Sequence, residues 1–149
     1  MGMTIECVSG LGFYVYVADE VLCDFIKAHS TTVEQLSYGK EILAYIDNGS
    51  HEDIKEKFYD YSCQSTGMCG LYGLIADVMT KETGVIFNYY VPNGDETDDA
   101  ILYKPCYPWE MTEADKALTA DKLKDLMQKY IKELGGELII EHIQIDYLC

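Results

Sequence analysis

The chain has 149 residues, 26 of them acidic against 11 basic, and a formal net charge of −15 at pH 7. All the basic residues are lysine, and the missing arginine is the usual bidentate phosphate clamp and guanine reader, which with the acidity argues strongly against binding nucleic acid through phosphate contacts. No apolar run approaches the roughly 20 residues of a membrane span.

The start of the chain, Met1 to Glu6, has no basic segment of a secretory signal. A cytoplasmic protein is therefore expected, folded as one compact α+β domain over residues 1–149. In a reducing compartment the six cysteines are expected as free thiols. Cys63 and Cys69 stand six apart and no C-x-x-C pair occurs, so neither a zinc site nor any other metal or cofactor is predicted.

In chain order, Thr4–Val8 reads as a strand, Ser9-Gly10-Leu11-Gly12 as a turn, and Phe13–Val17 as a second strand paired back on the first. Asp19 is placed as the N-cap of a helix carrying Val21, Leu22, Phe25 and Ile26. Thr31 and Glu34 have the spacing of a capping box, opening a helix that breaks or bends at Gly39 and closes at Asn48-Gly49. Ser50 starts another helix, with Ile54, Phe58 and Tyr61 on its apolar face.

The most apolar helical pattern follows: Leu71, Leu74, Ile75, Val78 and Met79 fall at i, i+3, i+4, i+7 and i+8, the mark of a buried helix face. Ser65 or Thr66 is expected to cap this central helix, which ends near Thr83-Gly84. Val85–Val91 reads as a strand, residues 92–99 as an acidic loop, and Ala100–Lys104 as the hairpin partner. Thr119 should cap a helix with Leu123, Leu126, Met127, Tyr130, Ile131 and Leu134 as its stripe, stopped by Gly135-Gly136. Glu137–Leu148 is a last strand, with Ile143, Ile145 and Tyr147 alternating against His142, Gln144 and Asp146. This order predicts an antiparallel or mixed sheet of about five strands, with helices mainly on one face.

Among groups that carry chemistry, Cys69 is expected at a helix start, where free backbone N–H groups favour a thiolate. Gln64 precedes it and His142 lies on a later strand. Glutamine, then a Cys-Gly pair at a helix start, then a strand histidine resembles the papain-like cysteine peptidases. The resemblance implies Gln64 as oxyanion donor, Cys69 as nucleophile and His142 as base of a cysteine-dependent hydrolase or transferase. The Gln-to-Cys gap is one residue shorter than that family's spacing. Asp146, four residues along the strand from His142, is about 13 Å away and too far to orient its ring. His29 and His51 have no ligand companions at helical spacing, and Asp95–Asp99 lacks the spaced ligands of a calcium loop.

The preferred expectation is non-catalytic. Thirteen tyrosines and a strongly negative surface fit a protein that binds a partner with a basic surface, as an inhibitor or a nucleic-acid mimic of the phage type. The binding residues expected are Asp95, Glu96, Asp98 and Asp99 of the acidic loop, with Tyr107 and Trp109 of the following extended stretch.

Overall fold

The longest described strand, β1, runs unbroken over Ile5–Val15 in the computed structural model, which describes residues 5–49, 52–92, 99–103 and 113–148. Its first part pairs with β4 (Glu141–Leu148), from Ile5 opposite Leu148 to Gly12 opposite Glu141. Its last part pairs with β3 (Asp99–Tyr103), from Leu11 opposite Tyr103 to Val15 opposite Asp99. β3 pairs in turn with β2 (Asn88–Tyr90), giving a four-stranded, wholly antiparallel sheet in the order β2-β3-β1-β4. The expected α+β class holds, with four strands among the described residues in place of about five.

The missing strand is the turn that does not form. Gly10 and Gly12 lie inside β1, where β3 comes unusually close. A Cβ at Gly10 would stand 2.1 Å from the Tyr103 carbonyl oxygen, and one at Gly12 would stand 2.2 Å from that of Ile101. The glycines therefore mark a close backbone approach within a strand, not a chain reversal.

The helices are α1 (Asp19–Ala28), α2 (Ser30–Val33), α3 (Gly39–Asp47), α4 (Ile54–Lys57), α5 (Gly73–Thr83), α6 (Glu113–Lys116) and α7 (Ala120–Glu133). Their buried side chains join Phe13, Val15, Tyr89 and Ile101 of the sheet in the main core. Val8, Tyr90, Ala100, Leu102, Ile143 and Ile145 form a second apolar cluster, with Tyr14 and Met68 packed against it. The period of two along each strand sends these two sets to opposite faces.

Helix ends follow the sequence where the signal is local. Thr119 accepts a hydrogen bond from the Lys122 N–H at 3.2 Å, Gly84 closes α5 at φ +77°, and Gly135 and Gly136 both have positive φ after α7. Elsewhere tertiary partners win. Asp19 is the first residue of α1 rather than its cap, and its carboxylate lies 3.3 Å from Lys55 Nζ. The Thr31–Glu34 capping box does not form, because α2 begins at Ser30 directly after His29. Ser50 lies outside the described residues, and the helix expected from it is the single turn α4.

Val85–Phe87 keeps its alternating burial but is not laddered into the sheet. The Phe87 N–H donates to Thr80 Oγ1 at 2.9 Å, and its carbonyl accepts from the Ser65 and Thr80 hydroxyls. Side chains of α5 and the loop before it take the place of a neighbouring strand.

In an unobstructed strand, Gly→Ala stabilises by about 0.5–1 kcal/mol. At Gly12 the added carbon would overlap the β3 backbone, so Gly12→Ala is expected to destabilise by about 2–3 kcal/mol. Urea unfolding followed by circular dichroism reads the sign.

Candidate functional site

The central helix α5 is buried along its whole first half, from Gly73 to Met79, and the one charged residue in that run is Asp77, 3% exposed. A carboxylate in such a place needs donors. Tyr61 Oη donates to Oδ2 at 2.5 Å, the Gln64 N–H donates to both oxygens at 3.0 and 3.2 Å, and Cys63 Sγ lies 3.4 Å from Oδ1. All three donors belong to one loop.

That loop, Tyr61–Gly70, is folded on itself as a small hairpin. The Cys63 N–H donates to the Met68 carbonyl at 2.9 Å, Gly70 N–H to Tyr61 O at 2.8 Å, and Gly67 N–H to Cys63 O at 2.7 Å. Its tip is tied to the sheet edge, with Thr66 Oγ1 donating to Tyr89 O at 2.8 Å and the Val91 N–H meeting Met68 Sδ at 3.2 Å. Gly70, at φ +145°, lets the loop backbone press on Tyr89, whose hydroxyl would stand 2.3 Å from a Cβ there. The Ser65 and Thr66 hydroxyls expected to cap α5 are thus spent on the Phe87 and Tyr89 carbonyls.

Burial pushes the Asp77 carboxyl up, and the hydrogen bonds from Tyr61, Gln64 and Cys63 oppose this only in part. Burial, together with the adjacent carboxylate, pushes the Tyr61 hydroxyl far above its ordinary range. Asp99, half-buried at the start of β3, accepts a 2.5 Å hydrogen bond from Tyr89, whose hydroxyl is raised in the same way. Asp77 and Cys63, both almost wholly enclosed, anchor the loop to α5.

The residues expected to form a catalytic centre are placed as follows. Cys69 is exposed, but it is not at a helix start: it bridges Ser62 across the loop hairpin, and α5 begins four residues later at Gly73. The positive φ of Gly70 breaks the helical path between them. The first N–H groups of α5, on Gly73, Leu74 and Ile75, already donate to the Gly70, Leu71 and Tyr72 carbonyls. The Gln64 side chain is exposed while its backbone holds Asp77. His142 is exposed on β4 opposite Leu11, whereas the loop hangs on β2 at the other sheet edge, with β3 and β1 between. Among the described residues no hydrogen bond joins the Cys69, His142 and Gln64 side chains.

Of the residues expected to bind a partner, Asp99 is engaged by Tyr89, and Asp95, Glu96, Asp98, Tyr107 and Trp109 lie outside the described residues. Among the described residues, no group of three or more His, Cys, Asp or Glu side chains could hold a metal ion.

Two polar clusters escaped the sequence reading. Lys55 Nζ donates to the Val17 carbonyl at 2.8 Å and to Tyr72 Oη at 2.9 Å, beside Asp19, and so fastens α4 to the end of β1 and the start of α5. His29, between α1 and α2, directs Nδ1 to Glu82 Oε2 at 2.8 Å and Nε2 to the Glu133 carboxylate. Glu82 also accepts from Thr32 at 2.6 Å and from Tyr130 at 2.9 Å. The partial signal was in α7, where Tyr130 continues the apolar stripe and Glu133 follows one turn later; nothing local pairs them with residues so far back in the chain.

Comparison of the chain with protein-family models, with curated proteins and with solved structures finds no match.

Asp77→Ala leaves the buried Tyr61 hydroxyl and the part-buried Gln64 N–H without their acceptor and is expected to cost about 2–4 kcal/mol. Asp77→Asn keeps an acceptor and removes the charge, so chemical unfolding at neutral pH should find it the more stable of the two.

The raised carboxyl also fixes a sign. The native state holds the Asp77 proton more tightly than the unfolded chain does, so its contribution is favourable in acid and is lost as pH rises from the ordinary carboxylate range through the native value. Over that window the stability of wild type is expected to fall relative to Asp77→Asn, measured by urea midpoints at matched ionic strength.

Proposed function

We propose that this chain is a non-catalytic protein that works by binding a partner protein with a basic surface. The observation that carries the reading is charge: 26 acidic residues stand against 11 lysines and no arginine. Between described residues, the lysines that make ion pairs are Lys55, with Asp19, and Lys116, with Glu113. Exposed carboxylates stand on several elements, including Asp24 of α1, Glu41 and Asp47 of α3, Glu56 of α4, and Asp121 and Asp125 of α7. A field of one sign over so much of the surface attracts cations and basic proteins and repels polyanions.

Tyrosine supplies the contact area. Tyr16 and Tyr59 are more than two-thirds exposed, and Tyr38 is also exposed with its hydroxyl 3.4 Å from Asp60. Large, stiff, amphipathic side chains of this kind anchor interfaces at a small entropic cost. The spread of carboxylates over several helices supports a broad electrostatic attraction better than a DNA-like stripe. The exposed but unassisted Cys69 gives the competing cysteine-enzyme reading no comparable support.

A test immobilises the full chain, captures protein from host lysate at about 50 mM salt, and raises the salt in steps. Retained protein is expected to be basic and to elute by about 0.5 M, where the screening length is only a few ångströms. A triple variant Glu41→Lys, Asp47→Lys, Glu56→Lys should retain less of it, and Cys69→Ser should retain as much as wild type. Capture that ignores salt and disappears in Cys69→Ser would overturn the proposal in favour of the cysteine reading.

A further inference from the structure

We infer that the basic partner docks on the surface around Tyr38, Tyr59 and Asp60, and that this surface reads the partner's arginine side chains; the inference rests on the binding role proposed above. The stretch from Glu52 to Asp60 makes the surface acidic, with Glu52, Asp53, Glu56 and Asp60 exposed against Lys55 and Lys57. Lys55 is already committed to Asp19 and to the Val17 carbonyl. Tyr59 is 71% exposed, and Tyr38, immediately before α3, is 46% exposed. The Tyr38 hydroxyl lies 3.4 Å from Asp60 Oδ2, so an aromatic side chain from the α2–α3 connection and a carboxylate just after α4 stand side by side.

Two observations set these groups apart from the other tyrosines. The first is that their rings are uncommitted. Tyr45 packs edge-on against Phe58, and Tyr16 has Lys55 Nζ 5.9 Å from its ring centroid, whereas among the described residues neither Tyr38 nor Tyr59 meets another ring or a lysine. Among the same residues Asp60 makes no ion pair. The second is the backbone. Tyr38 has φ +57°, and among the described non-glycine residues it shares the left-handed region only with Asp53, at φ +62°. The next residue, Gly39, is packed against the Val33 carbonyl, where a Cβ would stand 1.8 Å away, so the turn into α3 is tight. Glycine or asparagine would take the conformation of Tyr38 at less cost. A bulky ring held outward against that preference is the kind of strain that concentrates at ligand clamps.

A guanidinium matches this arrangement better than an ammonium does. Its planar fork donates in-plane hydrogen bonds to a carboxylate while its face stacks on an aromatic ring. Asp60, with Tyr38 beside it and Tyr59 next to it in the chain, offers both kinds of contact. A lysine ammonium is strongly hydrated and has no face, so it gains from the charge and little from the rings. The chain itself has no arginine, so a second copy cannot supply the group and the occupant is a different protein.

The test titrates two synthetic peptides of equal length and charge into the isotope-labelled full chain at about 0.15 M salt, one alternating arginine with glycine and the other lysine with glycine. The arginine peptide is expected to bind about three- to fivefold more tightly, with the largest amide shifts at residues 38–41 and 52–60. Tyr38→Asn, which suits the left-handed backbone, Tyr59→Ser and Asp60→Asn should each reduce that preference. The two tyrosine variants should bind the lysine peptide as wild type does, with thermal midpoints no more than about 2 °C below it. Equal affinity for the two peptides, shifts centred on another face, or a preference that survives all three substitutions would overturn the inference and leave the wider binding role standing. Binding of neither peptide would overturn both. Should Tyr38→Asn fail to fold, Tyr59→Ser and Asp60→Asn, both at exposed positions, decide the matter.

Discussion

A charged group inside the central helix is the constraint that shapes its surroundings. Asp77 occupies a position in α5 whose neighbours are apolar, and its oxygens have to be met by fixed donors. The loop Tyr61–Gly70 meets them with a hydroxyl, a backbone N–H and a thiol. Those contacts hold the loop against α5, and its tip bonds the Tyr89 carbonyl at the sheet edge. Helix, loop and sheet edge are thereby fixed relative to one another through one buried carboxyl group.

Much of this architecture is legible where the signal is local. The α7 stripe, its Thr119 cap and its Gly135-Gly136 stop depend on residues within a few positions of one another, and they appear as read. The alternation of β4 is equally plain, with Ile143 and Ile145 buried and His142 and Gln144 exposed. What could not be read depends on partners distant in sequence. Gly10 and Gly12 look like a turn until β3 is seen lying against them. Thr66 looks like a cap until the Tyr89 carbonyl claims its hydroxyl.

The candidate site shows the same division. The apolar helix at the heart of Cys63–Met79 is encoded by spacing alone, but where it begins is decided by Gly70, whose backbone has to clear Tyr89. Moving the helix start past Cys69 removes the electrostatic reason to expect a thiolate there. His29 was invisible for the opposite reason: its two carboxylates come from different helices far along the chain, and no periodicity links them. Acidity was the clearest feature of the sequence and remains the main support for a binding role.

The sheet topology has a consequence for the order in which the protein can assemble. β1 is the first described element, yet one of its two neighbours, β4, is the last. On the ribosome the residues that pair with β4 must wait for almost the whole described chain to be made, and closing so long a loop is entropically costly and slow. Until then Val8 lacks its partner Ile145, and one edge of β1 remains open to other strands. The net negative charge bears on this interval. Nascent chains that repel one another are slower to pair edge to edge while they wait for their own last strand.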